Sequence, residues 1–158
     1  MKTSSLLNME FVFTHCYKLT SIDLSNFDTS KVKSMYCLFN GCNNLEKINL
    51  GKINTSSVQN MYRLFHNCTK LTSIDVSNFD TSSVTNMEAM FAKCRILTSI
   101  DASNFNTQKV ENMRDMFAYC HKLITVNVSS FETSNTKNMR GIFHKCYNLK
   151  YLDLSNLK

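Results

Sequence analysis

Cysteine and histidine are the residues in this chain that could bind a metal, form disulfides or act as nucleophile and base. There are seven of the first and four of the second. Six of the cysteines, Cys16, Cys42, Cys68, Cys94, Cys120 and Cys146, follow one another at steps of 26 residues. A metal centre needs three or four donors converging on one point, and a row with one donor per step does not converge. A disulfide wants Cβ atoms ~3.8 Å apart, whereas in-register side chains on successive stacked layers stand ~4.8 Å apart. The row therefore reads best as a column of buried small hydrophobes, since free cysteine is among the most buried residue types. Interlayer disulfides are the alternative. Cys37 stands outside the row, in a column shared with Arg63, Ala89, Asp115 and Gly141, and is expected to face solvent as an unpaired thiol. His15, His66, His121 and His144 flank the row and are expected to be solvated. No glycine-rich phosphate loop, zinc-protease motif or nucleophile elbow is present. The expectation is no enzyme, no metal and no cofactor.

The 26-residue step extends beyond cysteine. It carries Met9, Met35, Met61, Met87, Met113 and Met139; Phe13, Phe39, Phe65, Phe91, Phe117 and Phe143; and Leu19, Leu45, Leu71, Leu97, Leu123 and Leu149. Residues 3–158 divide into six copies, 3–28, 29–54, 55–80, 81–106, 107–132 and 133–158, with no insertion. A fixed period of this length marks stacked supersecondary units sharing one core. Position n of one copy lies on position n of the next, so a residue that packs well in one layer packs well in all. The absence of an atypical end copy suggests a segment of a longer array, or ends covered by a partner, end-to-end stacking included. The 158 residues contain no Pro and three Gly, and no apolar run approaches the ~20 residues of a membrane span. The N-terminal MKTSSLLNMEFVF lacks the pattern of a secretory leader.

Within the copy from Thr81 to Asn106, Val84, Met87, Met90, Phe91 and Cys94 fall at helical spacing, with Ser82 or Ser83 placed to cap the first turn. Ile100 and Ala102 then alternate around Asp101, as in a short strand. The expected fold is α/β: a right-handed solenoid of six strand–helix repeats with a parallel sheet. Ala102 and Thr136, which depart from their columns, mark places expected to pack loosely.

The phrase LTSIDVSNFDTSSVTNMEAMFAKC, residues 71–94, resembles the repeat of the BspA-like leucine-rich repeat surface proteins, and more narrowly the mycoplasma-lipoprotein-associated repeat domain. Leu19–Cys42, Leu97–Cys120 and Leu123–Cys146 match it too. The resemblance covers essentially the whole chain. It implies a leucine-rich-repeat solenoid on a cell surface or secreted, binding host or matrix proteins or other cells, with no catalytic residues to carry over.

Charge separates by face. Asp23, Asn49, Asp75, Asp101, Asn127 and Asp153 form one strand column, flanked by residues such as Ser73 and Ser99. By the period of two, these point away from the core as a flat, mildly acidic face. Lys and Arg lie on the expected helices and in the column Lys18, Lys70, Lys122 and Lys150, and the formal net charge is +6. The leading expectation is a non-enzymatic interaction module that binds a protein through the strand face. The alternatives are a polyanion or nucleic-acid binder using the basic side, or a passive spacer. Exposed aromatics are too few for base stacking, so nucleic acid is the less favoured ligand.

Overall fold

The computed structural model describes residues 5–157. Its regular elements are four three-residue strands: β1 (Ser21–Asp23), β2 (Lys47–Asn49), β3 (Ser99–Asp101) and β4 (Thr125–Asn127). β1 pairs with β2 and β3 with β4, both parallel, and each residue faces its counterpart 26 positions on, as Ile22 faces Ile48 and Ile100 faces Val126. A further parallel bridge joins Thr125 to Tyr151. The expected six-stranded sheet is thus two short parallel pairs, with residues 73–75 outside both.

The helices expected from the sequence are absent among the described residues, and the strand–helix reading is corrected accordingly. Where a helix would bond each N–H to the carbonyl four residues back, alternate N–H groups here reach the next repeat. Met61, Arg63, Phe65 and Asn67 donate to the carbonyls of Asn86, Glu88, Met90 and Ala92. The intervening groups close local turns, Leu64 N–H to Met61 and Cys68 N–H to Phe65. The third residue of each turn is left-handed, with φ 52° at Arg63 and 61° at Asn67. That is the signature of a type II turn. Two tandem four-residue turns place Met61, Leu64, Phe65 and Cys68 on one side, the same i, i+3, i+4, i+7 set that a helix would. Ser82, expected to cap a helix, instead donates its backbone N–H to the Asp80 carboxylate.

A left-handed non-glycine residue costs of order 1–3 kcal/mol, and the pattern recurs in every repeat, at Cys37, Ala89, Lys93, Asp115, Tyr119 and others. What offsets the strain is the interlayer ladder together with the core beneath it. Phe13, Phe39, Phe65, Phe91, Phe117 and Phe143 stack with ring centroids 5.3–5.7 Å apart and nearly parallel planes. Phe79, Phe105 and Phe131 form a second stack at 6.3 and 6.4 Å. Methionine, leucine and cysteine columns fill the space around them. Each buried side chain of this size contributes about 1.5–3 kcal/mol relative to exposure.

Two polar ladders close the frame. Each row cysteine from Cys42 to Cys146 donates its thiol to the carbonyl of a phenylalanine in the preceding repeat, as Cys94 does to Phe65 at 3.2 Å. All seven cysteines are free. Thr29, Thr55, Thr81, Thr107 and Thr133 are buried. The Thr55 hydroxyl donates to the Asp80 carbonyl at 2.9 Å and accepts the Asp80 N–H at 2.8 Å. Thr107 holds Glu132 in the same way. Of the two places expected to be loose, Ala102 is fully buried and Thr136 bonds the Val110 carbonyl at 2.9 Å through its hydroxyl.

Candidate functional sites on the strand face and the turn face

The strand face carries the residues picked out by sequence. Asp23, Asn49, Asp75, Asp101, Asn127 and Asp153 are all exposed, as are Ser73 and Ser99. The six Asp and Asn side chains share one local task. Each accepts, through Oδ1, the N–H of the residue two positions on: Ser25, Gly51, Ser77, Ser103, Ser129 and Ser155, at 2.8–3.2 Å. These are Asx turns, which bend the chain away from the strand. The hydrogen bonds from Ser25, Ser77 and Ser103, side chain first and backbone second, hold Asp23, Asp75 and Asp101 below the ordinary carboxylate range. For Asp153 the backbone N–H of Ser155 leads. The row therefore stays ionised through mildly acidic pH.

Two concavities open on this face. One, of about 410 Å³, is lined by Ser99, Asp101, Thr125, Asn127, Tyr151 and Asp153, with Ile100, Val126 and Leu152 at its base. The other, of about 210 Å³, lies beside Asp75, Ser77, Asp101 and Ser103. The fold brings Ser99, Asp101, Asn127 and Asp153 together, links them to Asp75 through the second hollow, and leaves Ser73, Asp23 and Asn49 outside both. Tyr151 stands 71% exposed at the edge of the larger hollow.

The turn face is less uniform. Tyr62, Arg63, His66, Lys93, Arg114 and Tyr119 surround a cavity of about 440 Å³ floored by Ala89, Ala92 and Ala118. The histidines do not share one environment. His15 and His144 are exposed as expected, while His66 is half-buried, and burial pushes its imidazole down to about 4, helped by the nearby Arg63 and Lys93. Its Nδ1 donates to Asn40 Oδ1 at 2.7 Å, so the neutral ring keeps Nε2 as an acceptor. Cys37, expected to face solvent, is only 4% exposed, and burial raises its pKa. The left-handed turn at Cys37 lays its side chain against its own face, where Arg63 and Glu10 stand nearby.

Among the described residues, no group of three or more His, Cys, Asp or Glu is placed to hold a metal ion, and no helix is long and apolar enough to cross a membrane.

Comparison with known proteins agrees with this architecture. The profile of the family described as "Mycoplasma protein of unknown function, DUF285" matches residues 1–95 and 38–157. No curated protein matches. Among solved structures, a leucine-rich repeat protein of T. pallidum superposes with a TM-score of 0.57 at 18% identity, covering 91% of this chain and 72% of the other. A leucine-rich cell surface protein of Faecalibacterium prausnitzii superposes with a TM-score of 0.57 at 21% identity, covering 91% of this chain and 41% of the other. With the repeat, its turn-and-strand layers and the profile match in agreement, the chain belongs to the DUF285 family and has a leucine-rich-repeat fold of the BspA-like kind.

Proposed function

We propose that this chain is a non-catalytic recognition module that binds a protein partner on its strand face, on a cell surface or in the extracellular space. The observation that carries this reading is the larger hollow. Acidic Asp101 and Asp153, hydroxyl-bearing Ser99 and Thr125 and the exposed Tyr151 ring line one surface, built on the β3–β4 pair and the Thr125–Tyr151 bridge beside it. Tyrosine is among the residue types in which binding energy concentrates once a partner covers them. The ionised row calls for a partner with a complementary basic segment, and such complementarity governs association rate and specificity. The surface location draws support from the F. prausnitzii neighbour, which is itself a cell surface protein.

The test is binding to a panel of purified extracellular-matrix proteins by biolayer interferometry, with Asp75→Asn/Asp101→Asn, which removes the charges and keeps the Asx acceptors, and Tyr151→Ala alongside the unaltered chain. The expected result is one or more ligands lost by both variants at unchanged circular dichroism. A ligand bound at full affinity by both, or a panel bound by none of the proteins, would count against the strand face.

A further inference from the structure

The turn-face cavity lies where two adjacent repeats carry alanine in columns that hold larger side chains elsewhere. Ala89 stands in the column of Cys37, Arg63 and Asp115, and Ala92 in the column of Asn40, His66 and His144. Two truncated side chains in one layer, with Ala118 beside them, leave a concavity of about 440 Å³. That is within the ~300–1,000 Å³ range of small-ligand sites.

Its walls are chemically specific. Arg63 lies over the Tyr62 ring, its guanidinium carbon 5.0 Å from the centroid. The Arg63 Nε is shut off from solvent and has no hydrogen-bond partner among the described residues. A buried, unsatisfied donor on a charged group costs more than the ~1–3 kcal/mol of a neutral one, and Arg63 also lines the cavity, where the remaining donors of its fork are what a ligand oxyanion would meet. Lys93 forms no ion pair among the described residues, where the two pairs are Arg114–Asp115 and Lys137–Glu111. The two acids on the wall are already engaged, Glu88 by the Asn112 amide at 2.7 Å and Asp115 by Arg114 at 3.2 Å. With His66 neutral, three cations face two carboxylates, and the cavity carries one net positive charge.

We propose that this cavity binds a singly anionic sugar unit, a uronic acid residue of an acidic saccharide, with its carboxylate on Arg63 and its hydroxyls on the acceptors around it. The net charge matches one carboxylate. Glu88, Asp115 and the free Nε2 of His66 supply acceptors that a hydroxyl-rich ring can use and a dense polyanion cannot. An acidic peptide fits less well. Peptides dock on sheets by pairing with free backbone groups, and here alternate backbone N–H groups and their carbonyls are consumed in the interlayer ladder. The site is independent of the strand-face reading, which involves none of these residues.

The test uses the purified chain in calorimetric or NMR titrations. The probes are a glucuronate-containing tetrasaccharide, its carboxyl-reduced neutral form, inorganic sulfate and a glutamate-rich octapeptide. The acidic tetrasaccharide is expected to bind, and the reduced form to bind at least about tenfold more weakly, as for loss of one charge-assisted hydrogen bond. Arg63→Gln should lose a similar factor. Ala89→Arg/Ala92→His fills the cavity with side chains that the same columns already hold in other repeats. It should abolish binding at an unchanged thermal melt, while Asp75→Asn/Asp101→Asn should bind normally. Equal binding of the acidic and reduced saccharides would overturn the proposal. So would stronger binding of the peptide or of sulfate alone, full affinity in the filled variant, or no binding of the tetrasaccharide.

Discussion

Replacing Thr55 by Val tests whether the buried threonine column holds the layers together by hydrogen bonding or by shape. Thr55 is fully buried, and valine has nearly the same outline, so packing is conserved. What disappears is one hydroxyl that both donates to the Asp80 carbonyl and accepts the Asp80 N–H. Each buried group left without a partner costs roughly 1–3 kcal/mol, so the pair should cost about 2–6 kcal/mol. Thr55→Ser keeps both bonds and loses one methyl, at about 1 kcal/mol. The more hydrophobic variant should therefore be the less stable, the reverse of what burial alone predicts. Urea unfolding gives the order. Because a repeat array can open in parts, hydrogen exchange at the Asp80 amide locates the loss, and Thr55→Val should expose that amide. A Thr55→Val protein at least as stable as Thr55→Ser, with the Asp80 amide still protected, would falsify the bonding role.

Other perturbations read other parts of the frame. Phe91 lies between Phe65 and Phe117, at 5.5 and 5.6 Å, whereas partly buried Phe143 stacks on Phe117. Phe91→Ala should cost ~3–5 kcal/mol and Phe143→Ala clearly less, and equal losses in chemical denaturation would contradict a stacked core. In native alkylation followed by mass spectrometry, half-buried Cys16 and Cys146 should react before Cys37, Cys42, Cys68, Cys94 and Cys120. Burial also raises the Cys42 thiol to about 11, and rapid labelling of any of the five would refute their placement. His66 is held neutral with a pKa near 4 against 6.5 when unfolded. The unfolded chain therefore takes up the proton first, and the His66 contribution is complete above pH 6.5 and lost as pH falls toward 4. His66→Gln should flatten the decline of stability across that window, and an unchanged decline would show that the imidazole titrates normally.

The 26-residue register, the core columns and the strand pairing were legible in the sequence because each rests on identity at a fixed step. Ile22 does face Ile48, and the methionine, phenylalanine and cysteine columns do fill the interior. The helix was misread because Met87, Met90, Phe91 and Cys94 satisfy a helical period and a pair of four-residue turns equally well. The discriminating signal lay in the residues between them. Gly41 and Gly141 occupy left-handed positions, and so does Asn67. Glycine and asparagine in those columns point to positive φ, which no helix interior accepts. The same error displaced Cys37, since a helix would have turned that column outward.

The division between fixed and variable columns follows from which atoms meet across layers. Where side chain stacks on like side chain, as in the 5.3–5.7 Å phenylalanine row, any change disturbs two interfaces at once, and the column is held to one residue type. Along the turns, the contact across layers is backbone to backbone, N–H to carbonyl. Side chains there are released from the period, so Arg63, Ala89, Asp115 and Gly141 can share a column without loosening the stack. The strand face lies between these extremes, because its Asp and Asn residues must supply an Asx acceptor but not a particular charge. Asn49 and Asn127 serve as well as Asp75 and Asp101. Charge on that face is thus unconstrained by folding wherever aspartate replaces asparagine, and cavity shape on the turn face is unconstrained wherever alanine replaces a larger side chain. Binding specificity has room to reside at those positions, and they coincide with the acidic hollow at Asp101 and Asp153 and with the notch above Ala89 and Ala92.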